Sequence, residues 1–206
     1  PLKRPIQIRT GQYIYLQLGL LGEEHPFTVL DHDPKTGEIA VAFKKFGKFT
    51  EKLATIDAGR PLLLDGPYGV FTQERLTSPE KPAVYIAGGI GITPFVKHVL
   101  DSNAYSQWLF YANQTRHTAV FRDLLKNHLG DRFVDIFSRE PAEATVGNRD
   151  FEVGYMRQEL IEKYIKSPKA YDYFICGPVG MMHATKEALR ATGVPASQIH
   201  LEEFGF

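Results

Sequence analysis

Twelve residues, AVYIAGGIGITP at 83–94, join an unbroken apolar run to a Thr-Pro pair through Gly88, Gly89 and Gly91. Glycine permits positive φ and lets a ligand approach bare backbone, while Thr93 is placed to cap a helix with Pro94 at its first position. Such a turn, closed here by Ile92, aims free N–H groups and the positive end of a helix dipole at an anion, and a pyrophosphate suits it. A tight strand-to-helix turn can also use glycine for geometry alone. The sequence departs from the G-x-G-x-x-G fingerprint, with Pro94 where the third glycine would stand.

The next apolar run ends YANQTR, so Asn113, Gln114, Thr115 and Arg116 occupy the place where an NAD-selective site puts a carboxylate for the ribose hydroxyl. One run later comes FSRE, whose Ser138 and Arg139 suit a ribose 2′-phosphate through a hydroxyl bond and a charge-assisted contact. This favours NADPH over NADH. A solvated strand-end arginine is the plainer alternative. Cys176, Gly177 and Pro178 end another apolar run at the edge where open α/β sheets bind ligands, though a lone buried cysteine is more often packing. Nearer the start, His25, Pro26, Phe27 and Thr28 place a cation, an aromatic face and a hydroxyl on one segment. Lys44 and Lys48 flank a Gly47, Phe49, Thr50 turn that could open a short helix over a phosphate. Alone, Phe27 reads as core and the lysines as a solvated face. The seven histidines show no shared metal-ligand spacing, so no metal site is expected.

The elements that must carry these residues fall into two groups. Residues 12–18, 27–30, 38–43 and 61–64 are short apolar or alternating runs parted by Gly, Pro and Asp, which reads as an antiparallel barrel or sandwich. From residue 82 on, apolar runs alternate with helical patterns beginning near 93, 120, 156 and 179, which reads as a parallel sheet covered on both faces. The fold class is thus all-β followed by α/β, with domains at 1–78 and 79–206. The polar stretch 73–82 marks the join.

Composition bounds the partners. Of 206 residues, 24 are Lys or Arg and 24 Asp or Glu, so no global field draws the chain to nucleic acid or lipid. Anion recognition must come from local clusters. The single cysteine excludes an internal disulfide and a four-cysteine iron–sulfur cluster, and points to a reducing compartment. No apolar run is long enough to cross a bilayer, and a chain starting at Pro1 reads as an excised piece of a longer one.

Taken in order, GQY (11–13), HPFT (25–28), GKFT (47–50), DGPYG (65–69), AGGIGITPF (87–95), FSRE (137–140), FICGP (174–178) and EEF (202–204) resemble the ferredoxin-NADP reductase superfamily, and within it the NADPH oxidase and ferric reductase branch. The resemblance implies a flavin-binding barrel lacking its first strands, then a doubly wound NADPH-binding domain. It places His25 at the flavin nucleotide's phosphate, Phe27 on the isoalloxazine and Thr28 near flavin N5. It assigns 47–50 to the FAD pyrophosphate, 88–93 to the NADPH pyrophosphate, and Ser138 with Arg139 to the 2′-phosphate. Cys176 would lie beside the nicotinamide, with Glu202 near it, and Phe204 or Phe206 over the flavin face. The implied reaction is hydride transfer from NADPH to FAD, then single electrons to the haem of an upstream transmembrane domain at the cytoplasmic face of the plasma membrane, and finally to oxygen or a ferric chelate. A soluble flavohaemoglobin or oxygenase reductase is the same-chemistry alternative. A dinucleotide sensor without turnover is the alternative of another class.

Overall fold

The structure, a computed structural model, describes residues 6–9, 11–71, 81–102, 106–140 and 150–203. The alternating runs of the first third form a four-stranded antiparallel sheet of order β3-β2-β1-β4, from β1 (Tyr13–Gln17), β2 (Glu24–Asp33), β3 (Glu38–Val41) and β4 (Leu63–Tyr68). The period of two decides which face is covered. Ile14, Leu16, Phe27 and Val29 point to one side and bury with Leu53 of helix α1 (Lys48–Leu53). Tyr13 and Tyr15 are paired with Thr28 and Pro26 on the opposite side. Strand β4 extends past the apolar run 61–64 through Asp65, Gly66 and Pro67, because pairing with β1 overrides the turn signals and an edge strand tolerates proline.

The remainder forms a six-stranded sheet of order β10-β9-β5-β6-β7-β8, every pair parallel. Its elements are β5 (Ala83–Gly88), α2 (Thr93–Asp101), β6 (Gln107–Asn113), α3 (Arg122–Leu129), β7 (Phe133–Phe137), β8 (Glu152–Val153), α4 (Gln158–Tyr164), β9 (Asp172–Cys176), α5 (Val179–Ala191) and β10 (Ile199–Glu202). Both faces are covered. Tyr85, Ala87, Leu109 and Tyr111 pack with Phe95 and Val99 of α2 and Leu125 of α3. Val84, Ile86, Phe110 and Ile136 pack with Leu160 of α4 and Met182 and Leu189 of α5. The fold class is as expected, a small antiparallel sheet followed by a doubly wound parallel one. The sequence reading missed β8 and β10, which at two and four residues are too short to show a period.

The two sheets touch through Leu30 and Phe71, which pack on the cluster around Phe95. The Phe71 ring lies 5.8 Å from those of Phe95 and Phe174. Lys97 on α2 reaches to 4.0 Å from Asp31 on β2. The expected join at 78/79 lies outside the described residues.

Candidate functional site

Chain order runs outward from β5 to β6, β7 and β8 on one side and returns to β9 and β10 on the other, so the carboxyl ends of β5 and β9 form a topological switch point. The glycine-rich turn sits there. A Cβ on Gly88 would meet Met181 Sδ at 2.5 Å and Pro178 at 2.8 Å, and one on Gly91 would meet the Cys176 carbonyl oxygen at 2.4 Å. Gly88 serves close packing on the start of α5 and Gly91 on the end of β9, and of the three in the loop only Gly89 has positive φ, at 54°. Nothing lies within 4 Å of the place a Gly89 Cβ would take, so that backbone borders open space. Tyr111 Oη donates to the Gly89 carbonyl at 3.1 Å and ties the loop to β6.

Thr93 corrects the expectation of a side-chain cap. A 3-10 turn, Gly89–Ile92, precedes the helix, so Thr93 is already helical and its hydroxyl donates to the Ile90 carbonyl at 3.1 Å. Pro94 stands in the first turn as expected. Ile92, Thr93 and Pro94 are buried behind the loop, where they shape it.

A cavity of about 790 Å³ opens above these strand ends. Gly88, Gly89, Ser138, Arg139 and Pro178 share its wall, as the motif reading requires. Lys44, expected beside a flavin phosphate, lies on this same wall, carried there by the loop after β3. Lys44 and Arg139 face one cavity, and neither forms an ion pair with any described residue. Asn113 Nδ2 on the wall is buried without a hydrogen-bond partner. The wall also includes Gly180, Met181 and Tyr155, which the sequence reading missed. Gly154-Tyr155 follows the two-residue β8, and a glycine–aromatic pair at a strand end was the available signal. Arg116 does not join this wall. Its guanidinium pairs with Asp150 at 2.9 Å and lies 5.8 Å over Phe151, at the edge of a neighbouring cleft.

The second relevant cleft, of about 470 Å³, lies between the two sheets and is lined by Tyr13, Tyr15, Pro26, Gly69 and Glu202 among others. Tyr13, Tyr15 and Tyr68 touch ring to ring at 5.7–5.9 Å. Glu202 pairs in register with Cys176 across β10 and β9. Burial pushes its carboxyl up to about 7. Burial, and then the Glu202 charge, push the Cys176 thiol well above its ordinary value, so it stays protonated. Burial also raises Tyr13, with Tyr15 and Glu202 adding to the effect.

Phe27 is buried in the small sheet's core against Phe43 and Phe49, as its lone reading gave. Thr28 is buried at the opposite face. His25 stacks on Phe49 at 4.0 Å, and its Nε2 lies 3.4 Å from Glu23 yet makes no hydrogen bond. The Thr50 hydroxyl is used inside its own turn, accepting from Phe46 N–H at 2.7 Å and donating to the Phe46 carbonyl. Gly47, at φ 82°, opens that turn beside Lys48 and has open space at its Cβ position. Gly177 lies against Gly88, where a Cβ would come within 2.9 Å of its backbone. Phe204 and Phe206 lie outside the described residues. No group of three metal-binding side chains occurs among the described residues. No described helix is long and apolar enough to cross a membrane.

Two linked sheets thus carry one cavity at a parallel switch point and one cleft between the halves. The sequence profile of an FAD-binding domain family matches residues 2–124, and that of the oxidoreductase NAD-binding domain matches residues 85–187. The chain belongs to the ferredoxin-NADP reductase superfamily. It is 31% identical over 99% of its length to a component of the 1,2-phenylacetyl-CoA epoxidase of Escherichia coli, and 29% identical over 97% to a flavohemoprotein of Pseudomonas putida. It spans 61% and 52% of those proteins. The FAD/NAD-binding domain of a nitric oxide dioxygenase from Vibrio cholerae superposes over 98% of this chain and 87% of its own length, at 23% identity and a TM-score of 0.80.

Proposed function

We propose that the chain oxidises NADPH at the 790 Å³ cavity, reduces FAD held by the small sheet, and delivers electrons singly to an acceptor outside this chain. The carrying observation is the convergence of the Gly88–Gly89 backbone, Ser138 and Arg139 on one cavity. The residues fit the nucleotides. Asn113 offers an unsatisfied buried N–H to one, and His25 an unsatisfied ring nitrogen beside the Gly47 turn to the other.

When bound, the two cofactors supply hydride transfer followed by single-electron release, so each NADPH serves two one-electron acceptors. The chain positions and shields them. The 88–92 backbone takes the NADPH pyrophosphate, and Ser138 and Arg139 take the 2′-phosphate. Lys44 adds a cation to that wall from the flavin half. His25, Pro26, Phe27 and Thr28 hold the flavin, Phe27 from within the core, with 47–50 taking its pyrophosphate. Glu202 lines the gap where the rings meet, the fully buried Cys176 lies behind it, and the resemblance assigns Phe204, or Phe206, to the flavin face that nicotinamide must take.

The acceptor is the haem of an NADPH oxidase-type membrane domain, with oxygen or a ferric chelate as final oxidant, on the strength of His25 in the HPFT segment. The flavohemoprotein and epoxidase relatives favour a second reading, a globin or an oxygenase as acceptor. Steady-state kinetics of Arg139→Ala test the nucleotide assignment: KM for NADPH should rise about tenfold or more while KM for NADH holds. Equal effects on both would remove Arg139 from the site.

A further inference from the structure

Behind the dinucleotide cavity lies a charge network that the reaction does not use. Asp135 is fully buried in β7 and accepts from Arg122 Nε on both carboxylate oxygens, at 3.0 Å each, and from Nη2 at 2.7 Å. Lys126, one turn along α3, reaches it at 3.5 Å. Both cations also reach Asp150, Lys126 at 3.2 Å and Arg122 at 3.4 Å. Asp150 completes its set with Arg116 at 2.9 Å. Two cations therefore fix the Asp150 carboxylate, and that carboxylate holds Arg116.

Arg116 has a second tether. Its backbone N–H donates to Glu140 Oε1 at 2.6 Å, next to Arg139 in sequence. The Arg139 N–H donates to the Gln114 carbonyl at 2.8 Å, and Ser138 N–H to the Asn113 carbonyl at 3.0 Å. The two strand-end turns are thus stitched together with their guanidinium groups held differently. Arg116 is paired and turned onto Phe151, although His117 and Thr118 beside it line the cavity. Arg139 on the cavity wall has no ion pair or hydrogen bond from its side chain to any described residue.

We propose that Asp150 is a specificity-tuning residue: it withdraws Arg116 from the dinucleotide cavity, so that discrimination for a 2′-phosphate falls on Arg139, with Ser138 beside it, and not on Arg116. This rests on the reading of that cavity as the NADPH site. Asp150 acts through Arg116 and touches no nucleotide itself. Its carboxylate is also paired with Lys126 and Arg122, which oppose its following Arg116 toward an incoming phosphate.

Calorimetric binding of 2′,5′-ADP and 5′-AMP to the chain tests this without flavin turnover. Arg139→Gln should weaken 2′,5′-ADP about tenfold or more and leave 5′-AMP within about twofold, as loss of a charge-assisted contact requires. Arg116→Gln should shift either ligand by less than about twofold, the scale of an exposed ion pair. Asp150→Asn should tighten 2′,5′-ADP by about threefold, and adding Arg116→Gln should abolish that gain. A gain that persists in the double variant, or no gain in Asp150→Asn, overturns the proposal. So does an Arg116→Gln loss as large as that of Arg139→Gln, a comparison that stands even if Asp150→Asn folds poorly. Failure of both nucleotides to bind would strike the reading of the cavity itself, and the proposal with it.

Discussion

The two sheets solve the same problem, holding a nucleotide, with opposite means. The parallel sheet is buried on both faces, its strand ends are fixed from above and below, and in its loop Gly91 lies against backbone and Gly88 against side chains, both closer than a methyl group allows. The antiparallel sheet covers one face with its own small core and part of the other, at Thr28 and Leu30, and its site-bearing residues lean on one another: His25 on Phe49, Phe49 on Phe27, and Thr50 on its own turn. The parallel half is thereby formed before any ligand arrives, while the small half has its polar groups placed but fewer contacts holding them. Preorganisation of this kind lowers the ordering cost of binding.

The sharpest way to break the contrast is at its most rigid point. Gly91→Ala puts a methyl 2.4 Å from the Cys176 carbonyl, and the loop must move away from β9. Nucleotide binding should be lost, as read by calorimetry with 2′,5′-ADP, while far-ultraviolet circular dichroism stays near native. Asp135→Ala should follow, costing about 3 kcal/mol by stripping the buried Arg122 of its main partner and leaving it only Asp123 and Asp150, measured by urea unfolding. In the small half, Phe27→Ala should cost about 3 kcal/mol and weaken FAD retention on gel filtration, without altering 2′,5′-ADP binding. Loss of nucleotide binding there would show the two halves to be less independent than their cores imply.

The smallest expected effect is on pH. The folded state raises Glu202 to about 7 from an ordinary carboxyl value, so it favours the protonated form. That contribution to stability is complete below the unfolded pKa and is lost as pH rises through about 7. Glu202→Gln should therefore raise Tm at pH 8 relative to the native chain and leave it nearly unchanged at pH 4. A parallel shift at both pH values would deny Glu202 this role.

The same asymmetry explains what the sequence disclosed. In the parallel half, β6 runs over 107–113 as read, because a strand buried on both faces shows an unbroken apolar centre, here 108–112, with Gln107 and Asn113 at its limits. That the 88–92 loop, Ser138, Arg139 and Pro178 follow strand ends was legible for the same reason: each stands at the end of such a run. That Lys44 faces the dinucleotide cavity was not legible, because its direction depends on how the loop after β3 crosses to the other domain, which no local pattern records. Arg116 reads as a ligand from its strand-end position because its partner Asp150 lies 34 residues away. Tyr155 follows a strand too short to be periodic. In the small half, Phe27 was legible as core by alternation, and the resemblance gave it a second part to play.

The claim on which the rest depends is that a flavin and a reduced pyridine nucleotide meet between these halves. Anaerobic stopped-flow mixing of the FAD-reconstituted chain with NADPH, and separately with NADH, addresses it most directly. The account requires the yellow flavin absorbance to bleach with NADPH, and faster than with NADH at equal subsaturating concentration. Stable FAD binding with no bleaching by either nucleotide would contradict it.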